Sequence, residues 1–299
     1  MSYLEKPWLK SYKLGPYKLD HSLAPFPEEP LPFALDHAVQ KYAGRTAILF
    51  MGRKITYKQL KDYADRLANA LAKIGVEKGD KVCVFLPNCP EAVIADWGIM
   101  KAGASVIPTS ILRTDDGLVH EAGSGKAKVL ICREDELSRV LSLKDQCDFS
   151  SVIVTSIDGF DQAGVKEPIP ENVYEFKKLL DNSKSVPPDI TIDPKQDLCE
   201  LAFTGGATGV PKGVMITHFN RFSCIRQGLP WMMKPLLKGI KGKSSVLLSV
   251  PLFHSYGRYM SQSAAFLGLR LIVVPDPRDI DDIVEIIKEY RPFMICAVP

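Results

Sequence analysis

Eight short apolar runs, each of four to six residues, govern how this chain can fold: Val82–Leu86, Ser105–Pro108, Lys128–Cys132, Ser151–Thr155, Leu198–Phe203, Val246–Ser249, Leu269–Val274 and Phe293–Val298. A strand with one wet face alternates apolar and polar residues. These runs do not, as expected when helices cover both faces of a parallel sheet. The fold class is therefore α/β.

The segments between the runs supply the helices. Thr46–Phe50 and Lys54–Tyr57 flank Met51-Gly52-Arg53 as a hairpin. Thr56-x-x-Gln59 has the form of a capping box, and behind it Leu60, Ala64, Leu67, Leu71 and Ile74 fall on one helical face that ends at Gly75. Further helices are expected at Glu91–Lys101, at Asp115–Ala122 and around Ile280, Ile283, Val284 and Ile287. Pro25, Pro27, Pro30 and Pro32 mark an extended arm with one short helix near Phe33–Tyr42. That arm is either a packed leader or a dimerisation arm, and the latter would build a homodimer. Ser183–Gln196, with Pro187, Pro188 and Pro194, reads as a surface connection. A length of 299 residues suits two lobes at roughly 100–200 residues each. The expected organisation is an arm over 1–44, a first α/β lobe over 45–185 and a second over 186–299.

Composition narrows the function. Hydrophobic residues at 46% and charged residues at 24% exclude wholesale disorder. Lys plus Arg number 38 against 35 Asp plus Glu, so net charge gives no reason to expect nucleic acid or an anionic membrane as the main partner. The start, MSYLEKPWLKSYKLGPY, has charges and prolines where a signal peptide needs an apolar core, and no run approaches the ~18 apolar residues of a membrane span. A soluble, cytoplasmic chain is expected. Cysteines 83, 89, 132, 147, 199, 224 and 296 are odd in number, scattered and without a Cys-x-x-Cys pair, which favours reduced, buried thiols. His21, His37 and His120 form no metal-ligand spacing, and His218 reads as a structural residue at a helix start.

The segment with the most chemical content is Thr204-Gly205-Gly206-Ala207-Thr208-Gly209-Val210-Pro211-Lys212-Gly213, set between apolar runs. Glycines let backbone N–H groups turn toward an anion. Thr204 and Thr208 add hydroxyl donors, and Lys212 adds a point charge for a β- or γ-phosphate. A Walker A loop requires Gly-x-x-x-x-Gly-Lys-Ser/Thr opening a helix. Here Pro211 precedes Lys212 and a strand-like run follows. Gly242-Lys243-Ser244 has Leu237 where the first glycine belongs, and Gly125-Lys126 has His120 there.

Read as a unit, Phe203 to Gly213 resembles the signature of the adenylate-forming superfamily: acyl-CoA synthetases, luciferases and peptide-synthetase adenylation domains. Gly205 stands where that signature has serine, and Ala207 where it has serine or threonine. The resemblance continues through Ile55-Thr56-Tyr57, Gly75-Val76-x-Lys78-Gly79-Asp80, Asn88, Glu91, Lys101-Ala102-Gly103-Ala104, Pro108 and Ser124–Ile131. It closes with Met215-Ile216-Thr217-His218-x-Asn220 and Pro251-Leu252-Phe253-His254-Ser255-Tyr256-Gly257. It implies two helix-covered, mainly parallel sheets of the family's N-terminal domain, truncated before the remaining core and the C-terminal domain.

The resemblance also implies a reaction. A carboxylate attacks the α-phosphate of Mg²⁺-bound ATP, giving an acyl-adenylate and pyrophosphate; coenzyme A then displaces AMP. Thr204, Gly205, Gly206, Ala207, Thr208, Gly209 and Lys212 would hold the phosphates. His254 would place the carboxylate, and Tyr256 and Gly257 would shape the acyl pocket. Magnesium would arrive with ATP and need no site of its own in this chain. The Pro7-Trp8-Leu9 start and Pro251–Gly257 look more like long-chain fatty acyl-CoA ligases than peptide-synthetase domains, with aryl and medium-chain acids left open. The family's adenine-binding segment, ribose-binding aspartate, hinge and late lysine have no counterpart in these residues. The chain is thus expected to be the front of a longer ligase, or else a split, non-catalytic protein that binds nucleotide or acyl chain with a partner.

Overall fold

A computed structural model describes residues 6–14, 17–26, 28–160, 164–166, 168–205, 209–233 and 241–297. After a 3₁₀ turn at Pro7–Ser11 come β1 (Lys13–Leu14), β2 (Tyr17–Lys18), α1 (Phe33–Tyr42), β3 (Thr46–Phe50), β4 (Arg53–Thr56) and α2 (Tyr57–Lys73). Then follow β5 (Lys81–Phe85), α3 (Pro90–Lys101), β6 (Ser105–Pro108), α4 (Asp115–Ser124), β7 (Ala127–Arg133), α5 (Leu137–Ser142), α6 (Lys144–Cys147), β8 (Ser151–Thr155), β9 (Val173–Glu175) and α7 (Phe176–Asp181). The last part holds β10 (Leu198–Thr204), β11 (Lys212–Thr217), α8 (His218–Met233), β12 (Ser245–Leu248), α9 (Ser255–Leu267), β13 (Arg270–Val273), α10 (Ile280–Tyr290) and β14 (Met294–Cys296).

The strands make two large sheets. One has seven strands in the order β11-β10-β6-β5-β7-β8-β9, parallel except for the β10–β11 hairpin. The other has five in the order β14-β12-β13-β3-β4, parallel except for β3–β4. Alternate side chains part to opposite faces, and both faces are dry along the central strands. Val82, Val84, Val129 and Ile131 enter a core shared by both sheets, while Cys83, Phe85, Leu130 and Cys132 meet α4, α5 and α6 outside. In the second sheet Val246, Leu248, Leu271 and Val273 face the shared core; Leu49, Leu247 and Ile272 face α10. The result is five layers, with α1, α2, α3, α8 and α9 between the sheets. This is the helix-covered, mainly parallel architecture the apolar runs required.

The sheets do not divide at residues 185 and 186. β3 and β4, from the front of the chain, pair beside β13; β10 and β11, from the rear, pair beside β6. Residues 182–197 carry the chain from α7, next to the β9 edge, back to β10 near the other edge.

The capping box forms as its sequence predicts: Thr56 Oγ1 accepts from Gln59 N at 3.2 Å, and Gln59 Oε1 accepts from Thr56 N at 2.9 Å. Helix α3 is buried along its whole length, including its charged ends. Lys101 accordingly pairs with Asp36 of α1 at 2.7 Å and Asp65 of α2 at 2.8 Å. All seven cysteines are free, and all but Cys224 are buried; burial pushes the Cys83 thiol up to about 12. Among the described residues no helix is long and apolar enough to cross a membrane.

The arm is tied to its own chain. Leu19 and Leu31 are buried, Phe26 meets Phe219 edge-on at 6.5 Å, and the Leu31 N–H donates to His218 Nδ1 at 3.2 Å. His218, at the start of α8, is 1% exposed. Burial lowers its pKa to about 4, outweighing the opposing pull of Asp197. An unfolded histidine titrates near 6.5, so acid protonates the unfolded chain first. This group's contribution is complete above pH 6.5 and is lost as pH falls from 6.5 toward 4, by up to about 3 kcal/mol. Denaturant unfolding at pH 7.5 and pH 5 should show about 2 kcal/mol of that loss. His218→Asn, which keeps an acceptor without titrating, should reduce the difference.

Candidate active site

Three segments from different layers converge at the carboxyl ends of the parallel strands. The first is the glycine-rich loop. β10 and β11 form an antiparallel pair whose last rung joins Thr204 to Lys212, so residues 205–211 close a hairpin. A strand, not a helix, follows Lys212, which separates the loop from the Walker A arrangement. Gly206, Ala207 and Thr208 lie outside the described residues. Thr204, Gly205, Gly209 and Lys212 are exposed. Gly209 has φ of +100°, a backbone region other residues rarely adopt, and a Cβ at Gly205 or Gly209 would touch nothing within 4 Å. The described residues of the loop therefore present backbone and the side chains of Thr204 and Lys212 to open space.

Its rear stem is held by a residue to which the sequence gives no role. His120 Nε2 lies 2.9 Å from Pro211 O, immediately before Lys212. A carbonyl only accepts, so Nε2 carries the proton, and Nδ1 is left to accept from Ser124 Oγ at 3.3 Å. The His120 ring also meets Phe203 edge-on at 5.6 Å.

The second segment is Val250–Gly257, which runs from just past β12 into the first turn of α9. His254 is exposed and caps α9, its Nδ1 accepting from Tyr256 N at 3.3 Å. The neutral ring must then carry its proton on Nε2, which is presented as a donor. Gly257 is buried where a Cβ would come within 2.2 Å of Pro251 O, so only glycine lets the first turn of α9 fold back on Pro251. Tyr256 is half-buried against the shared core. Its phenol titrates above the usual range through burial first and neighbouring Cys296 second. The third segment, just past β5, is Asn88: its Nδ2 donates to Val250 O at 3.1 Å, and its Oδ1 accepts from Leu252 N at 2.7 Å. Between these strand ends, Val84, Leu86, Val93, Pro108, Leu252 and Phe253 line a cavity of about 20 Å³, the size of one water.

A buried charge network fixes the loop's strand against the start of α9. Glu200 of β10 is bound by Arg221 of α8, and by Arg258 of α9 through Nη1 at 2.9 Å. Arg258 also pairs with Asp96 of α3, whose second oxygen accepts from Gln262 Nε2 at 2.8 Å. Arg221 reaches Ser255 O at 3.4 Å and Ser255 Oγ at 3.2 Å. Burial alone would lower the pKa of Arg258, but Asp96 and Glu200 outweigh it, and the guanidinium stays charged. None of these five side chains is among the residues expected to carry the site. Their signal was present, as charges inside apolar stretches such as Leu198-Cys199-Glu200-Leu201 and Ile94-Ala95-Asp96-Trp97.

Comparison with known proteins gives the family. Residues 35–299 match the family described as AMP-binding enzyme. A long-chain-fatty-acid–CoA ligase of Bacillus subtilis is 30% identical over 99% of this chain and 54% of its own length. That of Haemophilus influenzae is 27% identical over 96% and 54%. A 4-coumarate–CoA ligase of Petroselinum crispum is 26% identical over 80% of this chain and 41% of its own length. Among solved structures, a long-chain-fatty-acid–CoA ligase from Archaeoglobus fulgidus superposes with a TM-score of 0.80 at 21% identity, over 95% of this chain and 54% of the other. An anthranilate CoA ligase in complex with anthranoyl-AMP gives 0.78 at 19% identity, over 92% and 51%. The chain spans about half the length of the curated relatives it matches. With the family model covering residues 35–299 and the fold in agreement, this chain belongs to the AMP-binding enzyme family.

Proposed function

We propose that the protein takes part in activating a carboxylic acid, most closely a long-chain fatty acid, with ATP to an acyl-adenylate and pyrophosphate, and in passing the acyl group to coenzyme A with release of AMP. The observation that carries this reading is the exposed glycine-rich hairpin, with Thr204 and Lys212 paired at its stem and tied through Glu200 to the start of α9. The names of the long-chain fatty acid ligases among its relatives support the choice of acid.

In this reading a carboxylate oxygen bonds to the α-phosphorus, the bond to the bridging oxygen breaks, and pyrophosphate leaves with both electrons. The protein's task is to hold the oxygens in line and to offset charge gathering on the phosphates. The hydroxyls of Thr204 and Thr208 and the N–H groups of residues 205–209 donate to phosphate oxygens. Lys212 brings a full positive charge to the departing pyrophosphate. The Nε2–H of His254 holds the carboxylate, while Tyr256 and Gly257 bound the acyl chain. Among the described residues there is no group of three side chains able to hold a metal. Magnesium enters this reading as part of the ATP complex, where it would neutralise phosphate charge.

Three variants test these roles in the full-length protein. Lys212→Ala should lower ATP–pyrophosphate exchange at least tenfold without moving the unfolding midpoint, since the side chain is exposed. Exchange that is unchanged at every ATP concentration would remove Lys212 from the site. Gly205→Ser restores the hydroxyl of the family signature at a position with open space. One hydrogen bond to a charged group is worth about 1.5–3 kcal/mol, so half-saturation by ATP should fall roughly tenfold or more. His254→Asn keeps an acceptor for the helix cap but removes the Nε2 donor. It should raise KM for the acid by about tenfold and leave that for ATP within twofold; equal losses in both would make His254 structural. Nucleotide binding with no exchange in the unmodified protein would favour the split, non-catalytic alternative.

A further inference from the structure

The Gly242-Lys243-Ser244 triplet, which fails as a phosphate loop in its sequence context, lines a concave site at the amino ends of β3, β12 and β13. That is the opposite end of the second sheet from His254. Gly44, Arg45, Thr46, Lys243, Ser244 and Arg270 border an open volume of about 330 Å³. Its base is built on one tyrosine. A Cβ on Gly242 would fall 2.3 Å from the Tyr42 ring and one on Gly268 2.2 Å from it, and both glycines have positive φ, +66° and +67°. Tyr42 therefore lies flush against both turns.

The cations around this base are preorganised. The Arg45 guanidinium sits 5.6 Å from the centroid of Tyr42, and that of Arg270 sits 5.5 Å from the centroid of Tyr290. An arginine stacked on a ring face keeps its in-plane N–H donors for an oxyanion; Arg270 uses one of them on Ser245 Oγ at 3.5 Å. The hydroxyls of Thr46 and Ser244 lie in the same wall. Among the described residues no carboxylate forms an ion pair with Arg45, Lys243 or Arg270.

A simpler role for these charges is to offset the carboxyl ends of α1 and α9, which both finish here. Each helix end carries about half a negative charge, against three full cations. The terminal carbonyls are also already engaged. Tyr42 O accepts from Arg45 N at 2.8 Å, Ala43 O from Lys58 N at 3.0 Å, Ala265 O from Gly268 N at 3.0 Å and Leu267 O from Gly242 N at 3.0 Å. Ala264 O accepts from Leu269 N at 2.9 Å, and Leu269 O accepts from Tyr57 Oη at 2.6 Å. A surplus of about two positive charges remains.

We infer that this pocket is a second anion site, separate from the glycine-rich loop, that binds a phosphate group, either free or on a lipid headgroup. Inorganic phosphate titrated calorimetrically at low ionic strength tests the first source. Flotation with phosphatidic acid vesicles, against phosphatidylcholine alone, tests the second. Lys243→Glu and, separately, Arg45→Gln should each weaken binding at least tenfold; both residues are exposed, and their unfolding midpoints should match the unmodified chain. Lys212→Ala should leave binding unchanged, which distinguishes this pocket from the glycine-rich loop. Saturable phosphate binding with this pattern identifies a free phosphate as ligand, and vesicle binding with the same pattern identifies a headgroup. Binding of neither, binding indifferent to both pocket variants, or binding lost in Lys212→Ala would overturn the inference.

Discussion

Arg258 is the point on which the arrangement of layers turns. Its guanidinium joins a helix packed under the first sheet, through Asp96, to a strand within that sheet, through Glu200. It does so from a helix that belongs to the second. Ion pairs so deeply buried contribute little net stability, because desolvation consumes most of their attraction, yet removing one partner typically costs about 3–5 kcal/mol. What such a network supplies is register. Apolar contact between two layers is non-directional and tolerates sliding, whereas two carboxylates shared by two guanidiniums and an amide accept few relative positions. The strand carrying the glycine-rich loop and the helix start carrying His254 are the two elements so fixed.

The same logic recurs at smaller scale around the site. Asn88 uses both ends of its amide to clasp the Val250–Leu252 backbone, so the segment leading into His254 is fastened to the carboxyl end of β5. His120 fastens the rear of the glycine-rich loop in a comparable way. Ligands of open α/β sheets gather outside the carboxyl ends of the strands, and here that edge is stiffened from beneath by a buried asparagine and a half-buried histidine. The loop itself is left exposed above them.

The sequence was legible where local chemistry decides the outcome. The apolar runs became strands within a residue or two of their expected limits, since a strand dry on both faces has no other pattern to show. Thr56 and Gln59 announced their helix by a reciprocal bond that depends on four residues only. Of α8 the sequence showed only its start at His218, and of α9 nothing, for a definite reason. Their inward faces carry Arg221, Arg258, Ser261 and Gln262, all buried, so neither presents the apolar stripe that marks an amphipathic helix. The exchange of strands between sheets was likewise invisible, because periodicity states that a segment is a strand and not which strand lies beside it. At the site, glycine, threonine and lysine spacing exposed the loop, but the four supporting charges came from four separate elements of the chain and met only on folding.

That exchange of strands has a consequence for how the molecule is made. Ile48 of β3 pairs with Leu271 of β13, a partner synthesised more than two hundred residues later, and the early hairpin must keep an unpaired edge until then. Contacts of such separation slow folding and leave apolar edges open to other chains in the interval. For the same reason, a protease that cut the proline-containing connection around residues 183–196 would not release two halves. Each sheet would still hold strands from both pieces, and the nicked protein would come apart only on global unfolding.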